Sequence, residues 1–286
     1  MNIAANIQPV LERAPFDRLL AASGTDAPVL GRIGTLAVRL AKSDSEIDAA
    51  LALRYRVFFG EAQASKDAAR DRDRFDEACD HLLVFDRSII GPQESQIVGT
   101  YRLLRQEQAL LSDGYYSERE FDVCGLVNRH SNRHFLELGR SCVLPQYRAK
   151  RTVELLWQGI WAYCRAHGID VMFGCASFPG TFPAQHALPL SFLHHHARAM
   201  GDWHVDALGD QAVSMDLMPV EAIDLKSALA AMPPLIKGYL RLGAKFGAGA
   251  VVDAEFGSTD VFVIVRTEEI SDRYLNHYGA EATRFV

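Results

Sequence analysis

The 286 residues hold five cysteines, an odd number, and none of them stands in a CxxC spacing. Cys79, Cys124, Cys142, Cys164 and Cys175 therefore read as reduced, mostly buried thiols of a cytoplasmic protein, and a disulfide frame or zinc site is excluded. No apolar run approaches the ~18 residues needed to span a bilayer. The opening residues, MNIAANIQPVLERAP, lack a basic stretch followed by an apolar one, so no secretory signal is expected. Positive charge is not in excess. The formal net charge of −6 argues against nucleic-acid binding and makes any cationic patch local. Repeats and low-complexity tracts are lacking too. What remains is an ordinary globular composition, 49% hydrophobic and 23% charged.

Residues 1–31, rich in Ala, Pro and Gly, read as a mobile arm, and 32–286 as one domain. GTLAVRLA is a strand. SDSEIDAALALRYRVFFGEA is a helix capped by Ser43 or Asp44, with Ile47, Leu51, Tyr55 and Phe58 on its apolar face. KDAARDRDRFDEACD carries mixed charge and reads first as a solvated segment. HLLVFD and SQIVGTYRLLR are strands joined by the turn residues of IIGPQES. After a polar insert containing Tyr115 and Tyr116 come a strand over 135–144, a helix over 150–167 and a strand at IDVMFGCAS, parallel to the preceding one. Residues 186–200 are a further helix candidate. SALAAM and PPLIKGYLRLGAKFG are short helices, and strands around AVVDAEF and DVFVIVR close the chain. The order predicts an α+β fold: an antiparallel meander, one strand–helix–strand crossover, and a terminal hairpin in a mixed sheet.

The strand FLELGRSCV is apolar yet carries Glu137 and Arg140. Side chains alternate along a strand, so these two point to opposite faces unless a bulge intervenes, and Gly139 is where one would sit. A surface ion pair on an edge strand is one reading. The other is a cleft where a splayed strand exposes backbone amides and a carboxylate.

Strand, turn and helix in this order resemble the donor-binding core of the GCN5-related N-acyltransferase (GNAT) fold. The resemblance narrows to the branch using acyl carrier protein, which includes acyl-homoserine-lactone synthases and ornithine-lipid N-acyltransferases. It runs from about Leu51 to Arg266 and rests on LRYRVFFGE, RDRFDEACDHLLVFD, IVGTYRLL, ELGRSCVLPQYR, ELLWQGIWAYC, MFGCASFPG and LIKGYLRLGAKF. The tail LIKGYLRLGAKFGAGAVVDAEFGSTDVFVIV is similar to the ornithine-lipid branch, and a homoserine-lactone-type synthase or a non-catalytic module binding lipid or carrier protein are the alternatives. The implied function moves a 3-hydroxyacyl chain from acyl carrier protein to the α-amino group of L-ornithine, giving lyso-ornithine lipid by direct attack on the thioester.

That chemistry needs a deprotonated amine and a polarised carbonyl, with no metal and no cofactor beyond the acyl-phosphopantetheine of the donor. Glu137 is the candidate proton relay. Backbone amides at Ser141, Cys142 and Val143 are candidates for holding the developing oxyanion, while the Cys142 thiol itself reads as structural. The donor turn, Gln146, Tyr147, Arg148, Ala149, Lys150, Arg151, has no glycine to cradle a pyrophosphate. Its cations suit a single phosphate delivered by an acidic carrier protein. On the acceptor side, Asp76 and Asp80 share a face if their segment is helical, with Glu77 between them, and are expected to meet the ornithine ammonium. Arg54 and Arg102 are expected to hold its carboxylate, with Phe58 stacked near Arg54 and Arg140 completing the network.

His194, His195 and His196 look metal-binding, but consecutive helical positions lie about 100° apart, so a solvated helix end is expected. Trp157 and Trp161 are read as core. Residues 233–246 form a basic amphipathic helix, with Lys237, Arg241 and Lys245 at four-residue spacing, suited to peripheral contact with an anionic membrane.

Overall fold

The computed structural model describes residues 28–60 and 69–270. In chain order these form β1 (Gly31–Ile33), β2 (Leu36–Leu40), α1 (Asp44–Phe59), β3 (Asp80–Asp86), β4 (Ile97–Arg105), α2 (Gln106–Leu111), α3 (Val123–Arg129), β5 (Phe135–Val143), α4 (Lys150–His167), β6 (Val171–Pro179), α5 (Ala187–His196), β7 (Ala212–Val213), α6 (Leu225–Ala231), α7 (Pro234–Arg241), β8 (Lys245–Asp253) and β9 (Ser258–Arg266). The strands make one sheet in the order β1-β2-β3-β4-β5-β6-β9-β8-β7. Only β5 and β6, joined through α4, run parallel; every other pairing is antiparallel. This is the expected α+β meander, crossover and hairpin, with β9 inserted between β6 and β8.

Alternation decides the layers. Leu82 and Val84 of β3 face the core built by Leu155, Ile160 and Tyr163 of α4. Leu83 and Phe85 face the opposite way, onto Ala50 and Leu53 of α1. Farther along that second face, the insert between β4 and β5 packs Phe121 and Leu126 against Phe173 and Phe262. Helix α4 ends where Gly168 adopts a left-handed φ of 60°, the conformation a non-glycine residue resists.

Two irregularities in β5 make the cleft. Pairing with β6 runs from Phe135–Val171 to Glu137–Phe173 and then stops, while β6 continues along β9 as far as Pro179. A Cβ at Gly174 would lie 2.2 Å from the Leu138 carbonyl oxygen, so only glycine allows this close approach where the strands part. On the other edge, Thr100 pairs with Cys142 and Arg102 with Gly139, so Tyr101 faces both Arg140 and Ser141. The bulge therefore sits one residue beyond Gly139, and Arg140 takes a φ of 50°.

Several expectations change. Helix α1 is capped by Ser43, but its buried residues include Glu46 and Arg54, whereas Ile47, Tyr55 and Phe58 are half-buried. The described part of the mixed-charge segment, 69–80, is not wholly solvated: Arg72, Arg74 and Glu77 are exposed, but Asp71, Phe75, Asp76 and Cys79 are buried. It forms turns, so Asp76 and Asp80 do not share a helix face. Leu30 is in the core and the sheet begins at Gly31; residues 1–27 of the arm lie outside the described residues. Helix α7 stops at Arg241 and Lys245 opens β8, which breaks the single basic helix imagined for 233–246. Its Ile236 and Tyr239 are buried in the core, and Lys237 donates to the Ala230 carbonyl at the end of α6. No helix among the described residues is long and apolar enough to cross a membrane.

Candidate active site

Where β5 and β6 part, a cavity of about 290 Å³ opens, lined on one side by Glu137, Arg140 and Ser141 and on the other by Cys175 and Ser177. The turn between β8 and β9 closes it from above, bringing Asp253, Phe256, Ser258 and Asp260. Phe256 reaches across to α1, where its ring meets Phe58 at 5.8 Å and Phe59 at 5.4 Å. The Arg140 guanidinium lies between the rings of Phe256 (4.6 Å) and Tyr116 (4.7 Å). Glu137 and Arg140 thus share one cleft, because the bulge cancels their opposite parity.

Beneath the floor lies a balanced ion network. Arg54 donates from Nε to Asp71 (2.7 Å) and from Nη1 to Asp76 (2.6 Å). Arg102 donates to Asp73 (2.6 Å) and Asp76 (3.2 Å), and Arg140 pairs with Asp71 and Asp73, each at 3.2 Å. Three guanidinium groups thereby meet three carboxylates. Burial alone would raise Asp76, but Arg54 and Arg102 hold its carboxyl below the usual range. Arg54 has no exposed surface, and Asp76 almost none. Neither is reachable by an acceptor, which removes them from the roles expected of them. Arg102 lines the cleft, yet its Nη1 already donates to two aspartates. Asp80 lies elsewhere, bonded to Tyr163 of α4 at 2.5 Å and to Gln108 of α2.

Glu137 is buried with its carboxylate oxygens on three donors: the Tyr116 amide (2.9 Å), the Ser117 amide (2.8 Å) and the Ser117 hydroxyl. Burial raises its pKa overall, against the pull of those donors. The carboxylate anchors the 3-10 turn Tyr116–Arg119 onto the strand.

A second acidic group forms no salt bridge among the described residues. Glu120, at the end of that turn, and Asp253 and Asp260 from the terminal hairpin bring carboxylate oxygens within 4.8 Å of one another. Asp260 accepts from Ser258 Oγ at 2.8 Å, and Cys175 Sγ donates to Glu120 at 3.5 Å. Burial, then the charge of Asp260, pushes Glu120 up to about 7, and burial raises Asp260. Arg140 is the cation that acts on both. The sequence reading missed this group, although an aspartate inside the apolar run STDVFVIV is the same signal that drew attention to Glu137.

Of the residues expected to hold the oxyanion, Ser141 lines the cleft, Val143 pairs with Gly99, and Cys142 turns into the apolar cluster with Ala50 and Leu53. Burial pushes the Cys142 thiol up to about 12, so it stays protonated and is no nucleophile. In the donor turn Tyr147 donates to Asp86 at 2.8 Å and Arg148 to the Val143 carbonyl at 3.1 Å. Gln146, Lys150 and Arg151 are exposed, and α4 has no side-chain cap at its start. Lys150 reaches Glu154 one turn on, at 3.3 Å. Cations in the first turn of a helix oppose its dipole, an arrangement that an incoming anion relieves.

The expectation about the histidines also changes. His194 and His195 both turn toward Asp216, at 3.9 and 3.1 Å. Arg198 lies 3.4 Å from the same His194 nitrogen, which puts a positive charge where a metal would sit.

A family model described as an acetyltransferase (GNAT) domain matches residues 53–158. The chain is 61% identical over 272 residues to the L-ornithine N(alpha)-acyltransferase of Brucella abortus, covering 93% of this chain and 97% of the relative. It is 59% identical to the enzyme of the same name from Agrobacterium fabrum, covering 90% of this chain and 89% of that one. Among solved structures, FeeM, an N-acyl amino acid synthase from uncultured soil microbes, is similar at 9% identity and a TM-score of 0.45, over 82% of this chain and 92% of that one.

Proposed function

The chain belongs to the family of L-ornithine N(alpha)-acyltransferases, and from that premise we propose that it transfers a 3-hydroxyacyl chain from acyl carrier protein to the α-amino group of L-ornithine. The observation carrying this reading is the acidic pair Asp253 and Asp260 lining the cleft, with the Glu120 carboxylate within 4.8 Å behind them and no salt bridge to any of the three among the described residues. An ornithine side-chain ammonium supplies the charge that the site lacks, lying between Asp253 and Asp260. Arg140, the more exposed of the two cleft arginines, takes the α-carboxylate against its guanidinium.

The α-amino nitrogen then attacks the thioester carbon. The C–N bond forms as the carbonyl π electrons move to oxygen, held by amides of the bulged segment 140–142. When that intermediate collapses the C–S bond breaks, the amine proton passes to Glu120, and Glu120 returns it to the departing sulfur, giving the free thiol and leaving the carboxylate as it began. Glu120 suits this role because a base works best with a pKa near the working pH. Glu137, with its oxygens already on three donors, acts as a positioning residue for Tyr116 and for the turn that carries Glu120. The phosphate of the carrier's phosphopantetheine arm lies at the uncapped start of α4, against Arg148, Lys150 and Arg151.

The test uses purified protein and 3-hydroxyacyl carrier protein, following free thiol and product mass. Ornithine is expected to be acylated, while norvaline, which keeps the chain but lacks its terminal amine, reacts at least ~100-fold more slowly, because a buried polar site left unpaired is penalised heavily. Equal rates with the two amino acids remove the acidic group from acceptor recognition.

A further inference from the structure

A second hollow lies at the opposite end of the terminal hairpin. Asp260, in the cleft, and Arg266, in the hollow, lie six residue steps apart on β9, which is about 20 Å of strand. Its volume is about 320 Å³, and Arg198, Lys245 and Arg266 line it with Met200, Trp203, Ile264 and one carboxylate, Glu269, which Arg266 pairs.

The charges here are poorly matched. Half-buried Arg198 donates from Nε to the Met200 sulfur and faces His194 Nε2, both at 3.4 Å, and has no carboxylate partner among the described residues. Lys245 is exposed and has none either. Arg266 is the paired member, meeting Glu268 at 3.7 Å and Glu269 more closely, with its guanidinium 4.9 Å above the Trp203 ring. The other neighbour of that ring is His130, stacked at 3.8 Å. In a chain of net charge −6, three cations around one hollow are a local concentration. A half-buried guanidinium with only a thioether sulfur and an imidazole nitrogen beside it keeps its charge uncompensated until an anion arrives. The rim adds an apolar element, for Met200 is 63% exposed. Indole and long apolar side chains beside cations match the interfacial layer of a bilayer, where phosphates lie above hydrocarbon.

We propose that the hollow lined by Arg198, Lys245 and Arg266 binds the phosphate of an anionic phospholipid and so holds the protein against a membrane surface, with Met200 entering the headgroup layer. The site replaces α7 as the membrane-facing element, since the apolar face of α7 is buried against the sheet. It is consistent with an acyl product that partitions into lipid, but its test needs no turnover, so failure here leaves the catalytic reading standing.

The full chain is incubated, without substrates, with vesicles of phosphatidylcholine alone and with vesicles containing phosphatidylglycerol, and the bound fraction is read by co-sedimentation. Binding is expected only to the anionic vesicles. It is expected to weaken by at least about fivefold for each cation lost, in Lys245→Glu and Arg198→Gln, and to fall as salt rises. Lys245 is exposed, so its variant tests the site without threatening the fold, and thermal denaturation checks that Arg198→Gln is folded. Met200→Asp is expected to lose vesicle binding too. Titration with inorganic phosphate separates the two sources of a phosphate group. Phosphate binding without vesicle binding would overturn the membrane reading in favour of a free-ion site. The proposal also fails if wild type and Lys245→Glu sediment alike, or if the variants lose carrier-protein binding while keeping vesicle binding.

Discussion

Two acidic groups flank the same cleft and are built in opposite ways. Asp71, Asp73 and Asp76 meet Arg54, Arg102 and Arg140, so the group is neutral, cross-braced and largely closed to solvent. Glu120, Asp253 and Asp260 crowd one another with hydroxyls, a thiol and the distant influence of Arg140 as their company. A balanced buried network holds a fold in one register, whereas an unbalanced one waits for a ligand to complete it. Acidic residues near a cleft are therefore not interchangeable evidence of function. The number of cations already answering them decides which group faces the substrate.

The sharpest way to break that contrast is to remove one partner from the balanced network. Arg54→Met leaves Asp71 and Asp76 short of their principal counter-charge, and Asp76→Ala removes the buried carboxylate that Arg54 and Arg102 share, leaving three guanidinium groups to two carboxylates. Either is expected to lower stability by about 3–5 kcal/mol, the range for an orphaned buried charge. Urea unfolding followed by circular dichroism measures the loss. A variant within about 1 kcal/mol of wild type would mean that the network is looser than these distances imply.

In the unbalanced group the sign reverses. The folded protein holds the Glu120 proton up to about pH 7, while the unfolded chain releases it near 4.5. The native state therefore binds more protons across that window, and stability falls as pH rises through it. Glu120→Gln removes the crowding and is expected to raise Tm by about 2–4 °C at pH 8, a gain that fades as pH falls toward 4.5. Asp260→Asn is expected to stabilise in the same sense, because one of the crowded charges is gone. Activity moves the other way. Wild-type kcat/KM for ornithine should climb with pH through about 7 and level off, and Glu120→Gln should lose both that limb and most turnover. In Asp260→Asn the limb should shift toward lower pH. A pH profile unchanged in Glu120→Gln would place the base elsewhere, with Glu137 the next candidate.

Much of this architecture was legible beforehand because it rests on local pattern. Short apolar runs bounded by turn residues mark β3, β4 and β9, and the spacing of strand, helix and strand marks the parallel pair β5 and β6. The apolar strand bearing Glu137 and Arg140 left open a surface ion pair or a cleft, and the structure has a cleft. Charge pairing was not legible. Arg54 and Asp76 are 22 positions apart and Arg140 and Asp73 are 67 apart, so only the tertiary fold tells which carboxylate answers which guanidinium. For this reason Asp76 looked like an acceptor ligand while Asp260 passed unnoticed inside a strand. The same limit hid the roles of α7, whose cations seemed to form one stripe until the chain turned to β8 at Lys245. The bulge was misplaced more locally, expected at Gly139 and found one residue on at Arg140. Glycine is the usual choice for a left-handed bulge, and here the strain falls on an arginine whose guanidinium is gripped by two rings and two aspartates.

The smallest expected effect concerns the donor turn, which belongs to neither acidic group and so serves as the control for both. Arg148, Lys150 and Arg151 are exposed, and exposed charges contribute little to stability. Reversing Arg148 and Lys150 to Glu should leave Tm within about 1–2 °C of wild type. Ornithine KM should also stay put, since both side chains lie beyond the residues that line the cleft. What should change is the encounter with an acidic carrier protein. Apparent KM for the acylated carrier is expected to rise several-fold at low salt, with the gap between variant and wild type closing as ionic strength approaches about 0.5 M, where the Debye length shrinks to about 4 Å. An equal rise in KM for ornithine would mean that the turn shapes the cleft itself, and a salt-independent rise would mean that a specific phosphate contact was lost in place of long-range steering. Equal use of acyl-coenzyme A and the acylated carrier by the wild type would overturn the carrier assignment, since the reversed charges would then have no protein partner to repel.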